Sequence, residues 1–95
     1  MSLTGKQRRK LRALGHHLSP VVMVGASGVT PEVIAAAEQA LYDHELVKVK
    51  INEGPDDRHE AAAKLARETG SELAQLLGRT ALLFKTRAEG SKIEI

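Results

Sequence analysis

The 95-residue chain has no cysteine and no tryptophan. Without cysteine it forms neither a disulfide framework nor a cysteine-ligated zinc site, a composition typical of proteins from a reducing compartment. No apolar run approaches the roughly 20 residues that cross a membrane, and the N-terminus lacks the apolar segment of a secretory signal. We therefore expect a soluble, cytoplasmic protein.

Aromatic side chains are almost absent, since Tyr42 and Phe84 are the only two. Domains that read single-stranded RNA or DNA by stacking need several exposed aromatic residues on one surface. This chain cannot build such a surface. If it binds nucleic acid, we expect contacts mainly to phosphates and sugars, with recognition of shape more than of sequence.

Acidic residues are missing from the first 31 positions, whereas the other 64 positions hold nine basic and twelve acidic residues. Five cations within seven positions indicate a surface for a polyanion. A solvated helix face is the alternative; an anionic membrane is disfavoured because the segment lacks Trp or Phe anchors. The five cations are Lys6, Arg8, Arg9, Lys10 and Arg12.

This basic segment is predicted to form a first helix over residues 4–14, with Thr4 as its N-cap and Gly15 as its C-terminal stop. Its spacing predicts that the helix docks by an apolar side and presents Arg8, Arg9, Arg12 and Lys6 on the opposite side, with Lys10 near the boundary. The predicted docking side consists of Leu3, Gln7, Leu11 and Leu14.

Two further helices are predicted, from Thr30 as N-cap to about residue 44 and from about residue 55 to 69, ended by Gly70. The predicted strands cover residues 21–24, 46–51, 72–77 and 81–87, the last two joined as a hairpin through Gly78-Arg79-Thr80.

The strand patterns differ in what they predict about burial. The unbroken apolar run over residues 21–24 predicts burial on both faces of the strand. The alternation of side chains over residues 46–51 predicts one face that is partly exposed to solvent. The order αβαβαββ, without repeat or linker, predicts one two-layer α/β (α+β) domain with helices on a four-stranded mixed sheet. It would occupy residues 1–95, with a core at about 4–87 and a tail at 88–95.

The loop Gly25-Ala26-Ser27-Gly28 lies between the first predicted strand and the helix start at Thr30. Its glycines leave room for a close-approaching phosphate, and a helix start offers unpaired N–H groups and the positive end of a dipole. The pattern predicts contact with a nucleic-acid backbone. A plain turn is the alternative, because small turns often produce GxxG.

Four later cations recur at strand spacing and extend the predicted basic surface, although strand lysines also serve to block edge pairing. They are Lys48, Lys50, Lys85 and Arg87.

The histidines show no metal-ligand spacing, and no serine has the context of a catalytic nucleophile. We therefore expect no catalytic residues, no metal and no cofactor.

Several segments in the same order resemble the CRM domain (chloroplast RNA splicing and ribosome maturation), in its single-domain bacterial YhbY-like form. The resemblance covers roughly residues 4–87 and implies a fold like the C-terminal domain of bacterial translation initiation factor three. The segments are LGHHLSPVV at 14–22, GASGVT at 25–30, HELVKVKI at 44–51, RETG at 67–70 and LGRT at 77–80.

The resemblance also implies RNA binding and association with precursors of the large ribosomal subunit; similar domains in plants act in group II intron splicing. The GxxG loop of the family falls on Gly25 and Gly28. Relatives often carry a basic residue between these glycines, whereas Ala26 and Ser27 are neutral. Backbone N–H groups and the Ser27 hydroxyl would then contact the phosphate, with charge supplied by the first helix.

The expected function is thus a non-catalytic, monomeric RNA-binding protein of ribosome assembly, with ribosomal RNA as partner and neither a membrane nor a small-molecule substrate. Two alternatives remain: a protein-interaction module that uses the basic helix, and an RNA-processing nuclease that uses His16 or His17 as acid or base.

Overall fold

The structure, a computed structural model, describes residues 3–52, 57–86 and 93. The chain forms three helices and a four-stranded mixed sheet, and its helices and strands follow one another in the predicted order. This confirms the predicted fold class. The elements are α1 (Gly5–Gly15), β1 (Pro20–Val24), α2 (Pro31–His44), β2 (Leu46–Ile51), α3 (Arg58–Thr69), β3 (Glu72–Leu77) and β4 (Thr80–Phe84).

The sheet has the strand order β1-β2-β4-β3, so β1 and β3 are its edges. β1 runs parallel to β2, because α2 carries the chain back between them, and the other two pairs are antiparallel. Gly78 and Arg79 close the predicted β3–β4 hairpin, with Gly78 at a positive φ of 58°. The hairpin tip therefore lies at the same end of the sheet as the C-terminal ends of β1 and β2.

The two faces of the sheet carry different helices. On one face, hereafter the α2/α3 face, α2 and α3 cover the alternating residues Val47, Val49 and Ile51 of β2, which gives the two predicted layers. On the other, the α1 face, α1 adds a partial third layer across β2, β4 and β3. The smaller core on the α1 face consists of Leu3, Leu11, Leu46, Ala74, Leu82 and Phe84.

Three helix ends follow the caps that the sequence predicts, at Thr4, Thr30 and Gly70. The predicted stop at Gly15 is wrong: Gly15 is the last helical residue of α1, His16 is the C-cap, and Gly15 packs against Leu82. Thr4 and Gln7 form a capping box, in which each backbone N–H donates to the other residue's side-chain oxygen, at 2.9 and 3.1 Å. Gly70 ends α3 in the left-handed conformation, with a φ of 67°. These local interactions explain why the helix positions could be predicted from short sequence windows.

The predicted start of the third helix at about residue 55 is wrong. Asp57 is the N-cap, and its carboxylate accepts the N–H groups of His59 and Glu60, so the helix begins at Arg58. Residues 53–56 lie outside the described residues.

Two strand predictions are also wrong. Val21 and Met23 in β1 are 58% and 57% exposed, because β1 is an edge strand that α1 does not cover on that face. β4 ends at Phe84 rather than 87, although the Lys85 N–H still donates to the Glu45 carbonyl at 2.9 Å. The Lys85 ammonium donates to the Thr69 carbonyl at 2.8 Å. The C-terminal carbonyls of α3 attract this cation.

Of the predicted tail at 88–95, only Ile93 belongs to the described residues. Its side chain is partly buried and packs against the core of the α1 face. Within the described ranges, no helix is both long and apolar enough to cross a bilayer.

Candidate nucleic-acid interface

The predicted GxxG loop forms a tight four-residue turn at the C-terminal end of β1. The Gly28 N–H donates to the Gly25 carbonyl at 3.0 Å, and Gly28 has a positive φ of 76°. A Cβ atom at either glycine would meet no atom within 4 Å, so both glycines border open space. The exposed residues at the tip are Ala26 and Ser27, which places the neutral pair, and not the glycines, at the outermost position.

The start of α2 offers fewer free donors than the sequence predicts. Pro31 has no N–H, and the Thr30 hydroxyl already accepts the Val33 N–H at 3.2 Å. Of the first three helical residues, only Glu32 keeps an N–H without an acceptor in the described structure. Its carboxylate would repel an anion at the same place, so the helix terminus is less suited than the loop tip to contact a phosphate.

Arg8 lies against the sheet and not on the outward side of α1 that the sequence predicts. Its guanidinium donates to the carbonyls of Leu73 and Ala74 at 2.7 and 3.4 Å. These carbonyls lie in the edge strand β3, where the register shifts between Leu73 and Gln75. Arg8 thus helps to hold α1 on the sheet, and the docking side runs through Arg8, Leu11 and Gly15; Leu14 remains exposed.

The other cations of α1 point into solvent. They make no hydrogen bond to any described residue, and α1 contains no acidic residue. Their charge is therefore available to a ligand. They are Lys6, Arg9, Lys10 and Arg12.

The predicted strand cations have different environments. Lys48 is half-buried, and its ammonium donates to the Leu18 carbonyl at 3.0 Å. Lys50 is exposed on the α1 face. The Lys85 ammonium donates to the Thr69 carbonyl at the end of α3. Arg87 lies outside the described residues.

α1 and the GxxG loop are not adjacent, because α1 lies over the three strands away from β1, whereas the loop follows β1 itself. The strand register connects them: Lys50 pairs with Thr80 of β4 on one side and with Met23 of β1 on the other. Two residues after Met23 the loop begins. On the α1 face, the exposed residues Lys50 and Met23 therefore lie between α1 and the loop.

Arg79 adds a cation that the sequence analysis missed. Its guanidinium donates to the carbonyls of Ile51 and Asn52 at 3.4 and 3.1 Å, and the Asn52 N–H donates to the Val24 carbonyl at 2.8 Å. Arg79 therefore lies at the loop end of the sheet. Its position in the predicted hairpin turn was the available signal, but pairing with β2 across 27 residues was not visible in the sequence.

The two faces differ in charge. The exposed cations of α1 and Lys50 lie on the α1 face. The outer surface of α2 and α3, including the Asp57 cap, carries six exposed acidic and three exposed basic residues. A polyanion would thus be attracted to one face and repelled from the other. The acidic residues are Glu32, Glu38, Asp43, Asp57, Glu60 and Glu68, and the basic ones are Arg58, Lys64 and Arg67.

Among the described residues, no three histidines or carboxylates lie close enough together to hold a metal ion.

Known proteins are similar to this chain in sequence and in architecture. The chain is 39% identical over 93 residues to a probable RNA-binding protein of Pseudomonas aeruginosa, an alignment that covers 97% of this chain and 89% of the relative. It is 38% identical over 94 residues to the probable RNA-binding protein YqeI of Bacillus subtilis, covering 98% of both. The solution structure of a hypothetical protein from Staphylococcus aureus superimposes with a TM-score of 0.85 at 35% identity, covering 99% of each chain.

The model of the CRS1 / YhbY (CRM) domain matches residues 3–85, which is most of the chain. Together with the relatives, which align over nearly their whole length, this match identifies the family that the sequence motifs resembled. The chain belongs to the CRS1 / YhbY (CRM) domain family.

Proposed function

We propose that this protein is a non-catalytic RNA-binding protein that associates with ribosomal RNA or precursor large ribosomal subunits during ribosome assembly. The observation that carries the RNA-binding part is the difference in charge between the two sheet faces. Relatives of nearly the same length are named probable RNA-binding proteins, which supports the same partner. The ribosomal part rests on what resemblance to the family implies.

The α1 face supplies the charge for this binding. Arg9, Lys10, Arg12 and Lys50 are exposed, and α1 itself contains no acidic residue. Long cationic side chains on a rigid helix contact phosphates without reading bases, so they supply affinity for any RNA of suitable shape.

The GxxG loop supplies a second, uncharged contact. The backbone N–H groups of Ala26 and Ser27 donate to no described acceptor, and the glycines on either side leave open space. A phosphate can therefore approach the tip, where these N–H groups and the Ser27 hydroxyl would donate to its oxygens. Because Lys50 and Met23 lie between them, α1 and the loop would contact different phosphates.

The cellular experiment is sedimentation of a lysate through a sucrose gradient, with detection of the protein across the fractions. We expect it with immature large-subunit particles, and we expect nuclease treatment to release it. Sedimentation at the top of the gradient before nuclease treatment would contradict the ribosomal part of the proposal.

Nuclease treatment of the lysate and a cleavage assay with the purified protein separate the alternatives. A protein-interaction module would stay with a protein partner after nuclease treatment. A nuclease would shorten ribosomal precursor RNA when the purified protein is added, with or without divalent metal ions. Either result would overturn a purely RNA-binding function.

A further inference from the structure

A groove of about 410 Å³ separates α1 from the β3–β4 hairpin on the α1 face. This volume lies in the range of about 300–1,000 Å³ that is usual for small-ligand sites. Its floor is apolar: Leu82 is buried, and Gly15 brings α1 so near that a Cβ there would lie 2.7 Å from Leu82 Cδ1. Leu77 forms an apolar rim and is 70% exposed.

Polar side chains surround this apolar floor. Arg12 and His16 line the groove from α1, and Gln75 and Thr80 line it from the hairpin. None of these four side chains makes a hydrogen bond to another described residue, so their donors and acceptors remain available. Lys48 also lines the groove and adds positive charge at its side.

This combination differs from a phosphate-binding surface. Phosphate contacts require cations and N–H donors, but they do not require an exposed leucine beside an amide. A nucleobase does match such a groove, since its faces are apolar and its edges carry donors and acceptors. The Gln75 amide offers both a donor and an acceptor to such an edge, and Arg12, which lines the same groove, offers a cation to the adjoining phosphate.

We propose that this groove binds one unpaired nucleotide of RNA, with the base against Leu77 and Leu82, its edge hydrogen-bonded by Gln75, and its phosphate near Arg12. The inference rests on the proposed RNA binding and adds a preference for RNA that contains an unpaired nucleotide. Recognition would then extend beyond the phosphate and sugar contacts expected from the scarcity of aromatic residues.

The experiment compares two short RNA duplexes that differ by one bulged adenosine, with fluorescence anisotropy as the readout. We expect the protein to bind the bulged duplex about fivefold more tightly than the paired one, a factor below that of aromatic stacking because leucine replaces the ring. Leu77→Ala and Gln75→Ala should each reduce this preference towards onefold while leaving the affinity for the paired duplex unchanged. Both residues are at least partly exposed, so the variants should keep the circular dichroism spectrum and melting temperature of the parent.

Leu18→Ala is the matched control, because Leu18 is an exposed leucine that lines a different groove, beside Val21. It should retain the preference. Equal binding of both duplexes by the parent, or an unchanged preference in Leu77→Ala and Gln75→Ala, would overturn the groove assignment and leave RNA binding in place. Failure to bind either duplex would overturn the proposed function itself.

Discussion

Gly25 and Gly28 differ at the residue scale although they belong to one motif. Only Gly28 has a positive φ, and neither glycine is crowded. Gly28→Ala should therefore lower the free energy of unfolding by about 1–2 kcal/mol through backbone strain, whereas Gly25→Ala should change it by less than about 0.5 kcal/mol. Chemical denaturation measures both.

Gly25→Ala also tests whether the loop contacts RNA. Gly25→Ala adds a methyl group beside the tip without a cost in stability, so its effect on RNA affinity reports the approach of the backbone alone. We expect weaker binding. Unchanged affinity in Gly25→Ala would mean that the turn is only structural.

Arg8 is a second case in which the chemical type of a residue does not reveal its role. Its half-buried guanidinium donates to the Leu73 carbonyl at 2.7 Å. Arg8→Ala should lower the free energy of unfolding by about 1–2 kcal/mol, because a charged hydrogen bond is lost. Arg9→Ala is the control, since Arg9 is exposed and bonds to no described residue, and thermal melting should show almost no change. Equal destabilisation by the two substitutions would contradict the anchoring role of Arg8.

At the scale of the element, α1 combines two functions on different sides. Leu11 and Gly15 dock it on the sheet, and Arg9, Lys10 and Arg12 remain in solvent. Replacing these three cations together with alanine should weaken binding to unrelated RNAs. The slope of log K against log salt should become less negative by about 2–3, because each lost phosphate contact removes 0.7–0.9.

The matched control for this triple variant lies on the opposite face of the sheet. Arg58, Lys64 and Arg67 of α3 are also three exposed helical cations, so their replacement changes the net charge by the same amount. We expect the salt slope of that variant to equal the parent's. A similar loss in both variants would mean that net charge, and not the α1 face, attracts the RNA.

At the scale of the molecule, a net charge of +2 conceals two oppositely charged faces. If the α1 face neutralises about five phosphates, the salt slope of RNA binding should lie at about −3 to −5. Titration with potassium chloride from low to physiological ionic strength measures it. A slope near zero would reject an electrostatic interface.

The sequence predicted those features that depend on neighbouring residues. The caps at Thr4 and Thr30, the stop at Gly70 and the β3–β4 hairpin each follow from a window of a few residues. The burial of β1 was predicted wrongly, because an apolar run contains no information about whether its strand is at an edge. The edge position of β1 follows from the strand order, in which β2 pairs with β1 on one side and with β4 on the other.

By itself the sequence determined the order of the elements, the concentration of cations in α1 and the lack of an aromatic stacking surface. Only the tertiary structure decided which cations stay free. Arg8, Lys48 and Lys85 donate to carbonyls that lie 65, 30 and 16 residues away. The folded chain places unpaired backbone oxygens beside some cations and water beside others, and no local pattern records that difference.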